Sequence, residues 1–286
     1  MSYDDVPAVE QVTANAFYEL SAATNPANWP AAERRSAERS ARWSERLRHF
    51  VAHDAPGCWV VEQDGEIVGC AVALLRDGLW CLSSFAVAPH VQAQGLGKTL
   101  LDAALGHGPW SAGIICASSD PRAARRYRLA GFDLHPAMLA WGSVARELLP
   151  ALPEVRDGSI DDVELLDAID RAARGFGRPL DHPAILDQMR LVITEVAGSR
   201  GYAYFTDTGS PYLLAATDPA AAQRVLWSAL AHSEPEERVD FTDITAHQTW
   251  AVDVALSARM EIHTYGYVAV RGMPVPMPYL PSGHFL

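Results

Sequence analysis

The sequence predicts an α/β fold of the α+β type, with two tandem domains that each contain a mixed, largely antiparallel sheet flanked by helices. Three observations predict it. Short apolar segments between residues 59 and 87 are joined by Asp-Gly turns, which favour antiparallel hairpins. A strand, a glycine-containing loop and a helix follow one another between residues 79 and 105. The same alternation of helices and strands returns after residue 153, which indicates a second domain.

Composition indicates a soluble globular chain. Its 286 residues are 49% hydrophobic, which is enough for one large domain or two modest ones. Since no run of 18 apolar residues occurs, we expect no membrane partner and a cytoplasmic location. The net charge of −12 argues against a nucleic-acid partner, whose phosphates need a basic surface, and it is compatible with a cationic amine substrate. The sequence does not decide the oligomeric state between a monomer and a homodimer.

The sequence predicts neither disulfides nor a metal site. The cysteines stand at irregular spacings within apolar, strand-like segments, at Cys58, Cys70, Cys81 and Cys116. Such positions are typical of buried, reduced thiols. His49 and His53 are four residues apart, but no third ligand is spaced to join them.

The first 88 residues predict two helices followed by three strands. Helical spacing runs from Val6 to about Val51, with an interruption at Asn25-Pro26 and Pro30. The segment 59–87 then reads as a three-stranded antiparallel meander. Its last strand ends near Ala88, because the next residue is a proline and lacks a backbone N–H.

The loop after this strand predicts an anion site. Gly95 and Gly97 precede or open a helix in which leucines recur at helical spacing. The first N–H groups of a helix have no intrahelical partner, the helix dipole is positive there, and glycine lets a phosphate approach the backbone. A nucleoside-triphosphate loop would need glycine at position 92, which is Gln92, and a dinucleotide fingerprint would need it at position 100, which is Leu100. Both of those alternatives fail.

Two motifs together resemble the GCN5-related N-acetyltransferases (GNAT). Gln92-x-x-Gly95-x-Gly97 resembles the signature with which this family binds the pyrophosphate of acetyl-CoA. The segment 118–132 resembles the second signature, a helix that carries a tyrosine, here Tyr127, and ends in Gly-Phe. Asp120 stands where the family has asparagine, so this sequence departs from the family at a side chain that contacts the cofactor. The resemblance implies acetyl-CoA as cosubstrate and no metal.

The resemblance also implies the roles of individual residues. Backbone amides from Gln92 to Thr99 would hold the pyrophosphate, and the strand edge at 85–87 would meet the pantetheine arm and the thioester carbonyl. Tyr127 would be the catalytic residue that donates a proton to the departing thiolate. The implied cofactor-binding residues are Phe85, Ala86, Val87, Gln92, Ala93, Gln94, Gly95, Leu96, Gly97, Lys98, Thr99, Asp120, Arg122, Ala123 and Tyr127.

The base that deprotonates the amine stays open. The serines of the third strand are poor bases. Other conceivable groups are Glu62, His53, His90, His135 and the C-terminal carboxylate of Leu286. None of these stands out in the sequence.

The second half of the chain reads as a degenerate copy of the first. We predict a first domain at 1–142, a linker at 143–153, and a second domain with a proline-rich tail at 154–286. The predicted helices lie at about 160–171, 183–192, 219–232 and 248–259, and the predicted strands at 201–206, 212–216, near Val239 and at 265–270. The counterpart of the phosphate loop lacks glycines and places Asp218 at the helix N-cap, where a carboxylate would repel a pyrophosphate.

These observations predict an acetyl-CoA-dependent N-acyltransferase. The acceptor would be the amine of a small molecule or peptide. The alternative is a protein that binds coenzyme A or acetyl-CoA as a sensor, without turnover.

Overall fold

The computed structural model describes residues 1–26, 29, 31–152 and 154–286. They form two compact units, residues 1–111 and 112–286. Pro30, in the predicted interruption, and Pro153, in the predicted linker, lie outside the described residues. The domain limits at 142 and 154 stay a prediction. In the part of the chain that the structure describes, no helix is long and apolar enough to cross a membrane.

The first unit begins with the two predicted helices, α1 (Val6–Thr24) and α2 (Ala37–Asp54). Ser36 caps α2, because its hydroxyl accepts a hydrogen bond from the backbone N–H of Arg39. One face of α2 is buried through Trp43, Leu47 and Phe50, whose spacing of four and three residues puts them on one side of the helix. Their burial anchors α2.

The predicted meander is confirmed as β1 (Cys58–Gln63), β2 (Glu66–Arg76) and β3 (Leu79–Val87). Neighbouring strands pair antiparallel. Both Asp-Gly turns have positive φ at both residues, 53° and 81° at 64–65 and 54° and 89° at 77–78. Such turns match the twist of the strands they join. The helix α3 (Leu96–Leu105) follows.

The second unit contains a four-stranded antiparallel segment whose strands come from both sides of the predicted linker. These are β4 (Ala112–Ala117), β5 (Asp133–Ser143), β10 (Arg238–Thr245) and β11 (Glu261–Arg271). Their spatial order is β4, β11, β5, β10. Thus β11 lies between β4 and β5, and β5 lies between β11 and β10. The helix α4 (Pro121–Leu129) connects β4 to β5.

A five-stranded sheet occupies the rest of the second unit, in the order β12, β9, β8, β7, β6. Its strands are β6 (Val155–Asp157), β7 (Arg190–Val196), β8 (Ser199–Phe205), β9 (Pro211–Ala216) and β12 (Tyr279–Leu280). The helices of this region are α5 (Val163–Arg174), α6 (His182–Leu186), α7 (Pro219–Leu230) and α8 (Thr249–Ser257).

The predicted helix at 183–192 is wrong in its second half. The helix α6 ends at Leu186, and β7 begins at Arg190. The run from Leu191 to Thr194 is buried in the sheet and is rich in β-branched residues, which pack well on a pleated surface. This tertiary burial outweighs the helical spacing that the sequence suggested.

The cysteines are free thiols, as predicted. Cys58, Cys70 and Cys81 are buried, and Cys116 is partly buried. Burial raises the pKa of both the Cys58 and the Cys70 thiol to about 12, which keeps them protonated and unreactive at neutral pH. Among the described residues, no group of three or more His, Cys, Asp or Glu side chains is placed to hold a metal ion.

Candidate functional site

The loop between β3 and α3 is held by a short helical turn and one side-chain contact. Residues 89–91 form a single 3₁₀ turn after the strand ends. The side-chain amide of Gln92 then donates a hydrogen bond of 2.9 Å to the backbone oxygen of Val87. Ala93 has a φ of 65°, and Gly95 a φ of 89°. Two left-handed residues so close together turn the backbone sharply, which places the loop directly at the start of α3.

The N-terminus of α3 is open. Gly95 is the N-cap residue, and no side chain caps the helix. The N–H groups of Lys98 and Thr99 donate to the backbone oxygen of Gly95, at 2.9 Å and 3.3 Å. The N–H groups of residues 93–95 donate no backbone hydrogen bond within the described chain. Those of residues 96 and 97 lie in the first turn, where no intrahelical acceptor exists. A row of donors therefore remains for an anion.

Gly95 and Gly97 differ in what an added side chain would meet. A Cβ atom added to Gly95 would meet no atom within 4 Å, so the requirement there is the left-handed φ. A Cβ atom added to Gly97 would lie 3.4 Å from Cζ of Phe85 and 3.9 Å from Cγ2 of Val87. Open space above Gly95 lets an anionic group approach the backbone, so these residues fit a pyrophosphate.

Lys98 makes an ion pair with Asp102 one turn along α3. Its side chain is 66% exposed. The spacing of four residues is the usual one for ion pairs on a helix surface, so the sequence alone carries the signal for this pair. The Lys98 ammonium group is therefore already paired within the helix.

A β-bulge interrupts β3 just before the predicted pantetheine edge. Val72 of β2 pairs with Ser84 and Ala73 pairs with Leu82, so Ser83 is the extra residue. The Ser83 hydroxyl is buried and has no hydrogen-bond partner among the described residues. Sequence spacing did not reveal this bulge, because a bulge depends on the pairing with β2. Phe85, Ala86 and Val87 pair with Ala71, Cys70 and Gly69.

In the second unit, α4 begins with a carboxylate cap. The Asp120 side chain accepts a 2.8 Å hydrogen bond from the backbone N–H of Arg122 and also pairs with the Arg122 guanidinium at 2.8 Å. Partial burial acts to raise the pKa of Asp120, but hydrogen bonds from Arg122 and from the backbone of Ala123 lower it overall. The predicted contact residues Asp120 and Arg122 are thus paired with each other.

Tyr127 lies on the buried face of α4. It is 5% exposed, and burial, followed by the charge of Asp120, raises its pKa far above the ordinary value of 10. The phenol therefore keeps its proton at neutral pH. Its backbone oxygen accepts from the N–H of Phe132 at 3.1 Å, and Gly131 has a φ of 88°. This closure confirms that a glycine ends α4, as the sequence predicts.

The counterpart helix α7 begins quite differently from α3. Asp218 is its N-cap, as predicted, and accepts hydrogen bonds of 3.0 Å from the backbone N–H groups of both Ala220 and Ala221. The Ser199 hydroxyl donates to the same carboxylate. Burial acts to raise the pKa of Asp218, but these hydrogen bonds lower it overall. The donors that are open at α3 are therefore satisfied at α7 by the protein's own carboxylate.

The proposed bases do not stand out in the structure. His53 Nδ1 lies 2.8 Å from the backbone oxygen of His49 and is part of a helix surface. The ring centroids of His135 and His247 are 6.4 Å apart. Leu286 is fully buried, and its backbone oxygen accepts a hydrogen bond from Arg174 of the same unit. This hydrogen bond occupies an oxygen that Leu286 would need in order to act as the base.

Comparison with known proteins finds a similarity to one family in the first part of the chain. Residues 14–132 match the family model described as the acetyltransferase (GNAT) family. No curated protein matches the chain.

Solved structures with the same fold cover almost the whole chain. A candidate acetyltransferase from Pyrococcus horikoshii has a TM-score of 0.77 at 14% identity, over 99% of this chain and 93% of that one. A GCN5-related N-acetyltransferase from Sphaerobacter thermophilus has a TM-score of 0.59 at 16% identity, over 96% and 95%. A tandem GNAT protein from the clavulanic acid biosynthesis pathway has a TM-score of 0.51 at 15% identity, over 95% and 96%. The predicted fold of two tandem domains is thereby confirmed.

Proposed function

Because residues 14–132 match the model of the acetyltransferase (GNAT) family, we propose that this chain is an acetyl-CoA-dependent N-acyltransferase. The general chemistry of that family is acyl transfer from acetyl-CoA. The proposed acceptor is a primary amine of a small molecule or peptide, which attacks the thioester directly in a ternary complex. The observation that carries the proposal is the open N-terminus of α3 at Gly95.

The proposed pyrophosphate site consists of backbone groups of residues 92–99. Gly95 and Gly97 keep this surface free of side chains, and the helix dipole adds positive potential where a row of N–H groups points outward. The Lys98 ammonium group contributes less, because it is exposed and already paired with Asp102. Binding therefore depends on the conformation of the loop more than on a charged side chain.

The proposed chemical roles lie on β3 and α4. Phe85, Ala86 and Val87 would hold the pantetheine arm and the thioester carbonyl through backbone groups. Tyr127 would donate a hydrogen bond from its phenol oxygen to the departing sulfur. Burial raises the pKa of Tyr127 far above the ordinary thiol value of about 8.5. The phenol would therefore stabilise the thiolate by donating a hydrogen bond, without transferring its proton.

We propose that the second domain is a degenerate copy that does not bind acetyl-CoA at α7. The Asp218 carboxylate satisfies the backbone donors that a pyrophosphate would need and adds a negative charge at the same place. One molecule of acetyl-CoA should therefore bind per chain.

Calorimetric titration with acetyl-CoA tests the proposal. We expect saturable binding at one site, lost in the Gly95→Asp/Gly97→Asp variant. Gly65→Asp is the matched control, because Gly65 also has a positive φ, of 81°, and open space around its Cβ position. Absence of binding to the wild-type chain, or equal binding by the double variant, would refute the proposed site.

The alternative function, a coenzyme A sensor without turnover, is tested in the same preparation. Free thiol release from acetyl-CoA is followed against a panel of amines. Release that depends on an amine supports the enzyme. Binding without any release across the panel favours the sensor, as the lack of an obvious base in the sequence permits.

A further inference from the structure

The helix α4 is strongly basic, although the chain as a whole carries a net charge of −12. Its nine residues include four arginines and no acidic residue. The first and the last of these arginines are each paired with a nearby aspartate, as Arg122–Asp120 and Arg128–Asp133. The two between them, Arg125 and Arg126, have no ion-pair partner in the part of the chain that the structure describes. Two positive charges are therefore left over on this helix.

An exposed leucine lies beside these two charges. Leu129 is 72% exposed, more than any other large apolar side chain of the described residues. Arg125 and Arg126 precede it by four and three residues, the spacings at which side chains are neighbours on a helix surface. The other side of α4 is buried through Ala124 and Tyr127. We call Arg125, Arg126 and Leu129 the α4 face; it is open to a partner because the core does not use it.

A second exposed surface of the same unit has the opposite charge. The segment 157–164 contains four acidic residues and no basic one. Within it, Ile160 is 55% exposed. Asp157, Asp161 and Glu164 are exposed, and they have no ion-pair partner within the described residues. We call Ile160 and these three carboxylates the acidic face. Like the α4 face, it combines one exposed apolar side chain with unpaired charges, but of the other sign.

Hydrogen bonds fix the backbone of both faces. In the acidic face, the Ser159 hydroxyl accepts from the backbone N–H of Asp161 at 3.3 Å, and the Asp162 carboxylate accepts from the backbone N–H of Ser159 at 2.9 Å. At the end of α4, the backbone oxygen of Ala130 accepts from the Arg271 guanidinium at 2.9 Å. Because both surfaces are ordered before any contact forms, association costs little backbone entropy.

We propose that the α4 face of one chain binds the acidic face of a second copy of the chain. Each face supplies the charges that the other lacks, and Leu129 and Ile160 would cover each other's exposed apolar surface. A two-fold axis repeats the contact, since every copy carries both faces. Neither face includes a residue proposed to contact acetyl-CoA, so this contact is independent of the proposed function.

The net charge of −12 opposes association only at long range. At an ionic strength of about 0.15 M the Debye length is about 8 Å, so the repulsion between two whole chains is largely screened. Oppositely charged groups in direct contact lie well within that length and still attract. The local complementarity of the two faces therefore outweighs the repulsion under these conditions.

Sedimentation equilibrium of the full chain at about 0.15 M salt tests the contact. The average mass should rise with concentration above the 31.1 kDa of one chain. Arg125→Glu/Arg126→Glu and Asp161→Arg/Glu164→Arg should each raise the dissociation constant by about tenfold or more. An equimolar mixture of these two variants should associate again, because the exchanged charges are complementary in the mixed pair.

Arg39→Glu/Arg48→Glu on α2 is the matched control. Both arginines are exposed, neither has an ion-pair partner among the residues described, and the change in net charge is the same as in the α4 variant. This control should alter the dissociation constant by less than about twofold. Leu129→Ser changes no charge and should weaken association about threefold, which keeps the test valid should a charge variant fail to fold.

Two results overturn the proposal. One is a wild-type mass that stays at the value of one chain up to about 1 mM, a concentration at which even a weak contact is half formed. The other is a mixture of the two charge variants that stays dissociated while both keep the far-ultraviolet circular dichroism of the wild type. Either result would leave the α4 face to a different, acidic partner.

Discussion

Replacing Asp243 by asparagine should stabilise the folded chain more at pH 8 than at pH 5. The physical reason is the buried carboxyl group, whose pKa rises from 3.8 to about 6 on folding, chiefly by burial. A group whose pKa is raised by folding contributes stability that is fully present below its unfolded pKa and is lost as the pH rises through its folded pKa. Asparagine does not titrate, so the variant does not suffer this loss.

The magnitude follows from the same two values. Each pKa unit corresponds to about 1.4 kcal/mol, so the ionised Asp243 costs the native state about 3 kcal/mol above pH 6. At pH 5 only about half of that cost is present, because the folded carboxyl is still largely protonated. The free energy of unfolding of Asp243→Asn, relative to the wild type, should therefore rise by about 1–2 kcal/mol between pH 5 and pH 8.

Urea denaturation at the two pH values measures this difference. Asp240→Asn serves as the control, because Asp240 is exposed on the same strand and the variant removes the same charge. A relative stability that is equal at both pH values, or greater at pH 5, would show that Asp243 is ionised without penalty. Burial would then not raise the pKa of Asp243.

Three further predictions concern single residues. Tyr127→Phe should lower kcat by about 10- to 100-fold, the value of one hydrogen bond to a charged group, and leave the Kd for acetyl-CoA unchanged in calorimetry. Arg178→Met should lower the free energy of unfolding by about 3–5 kcal/mol in urea, because it removes the buried guanidinium that is paired with the buried Asp170 carboxylate; a loss below 1 kcal/mol would contradict this. Asp218→Ala should destabilise the chain by about 1 kcal/mol through loss of a helix cap, while the calorimetric stoichiometry stays at one.

Local signals in the sequence predicted the parts of the fold that depend on neighbouring residues. The Asp-Gly turns at 64–65 and 77–78 form as predicted, because turn type depends on the φ values that these two residues permit. The same holds for the Asp218 cap and for Gly131 at the end of α4. At 183–192 the spacing suggested one helix, but the chain turns into β7 because that segment is buried in a sheet assembled from distant strands.

The features of the candidate site also fall into two groups, those that depend on neighbouring residues and those that depend on the tertiary structure. The sequence by itself determined the open loop at Gly95, since a left-handed glycine before a helix is a property of the local chain. It also determined the resemblance that implies acetyl-CoA and Tyr127. Only the tertiary structure decided that β11 lies between β4 and β5, that Ser83 forms a bulge, and that Asp243 is buried without a cation. These features depend on contacts between segments far apart in the chain, and hydrophobic periodicity carries no information on which segments meet.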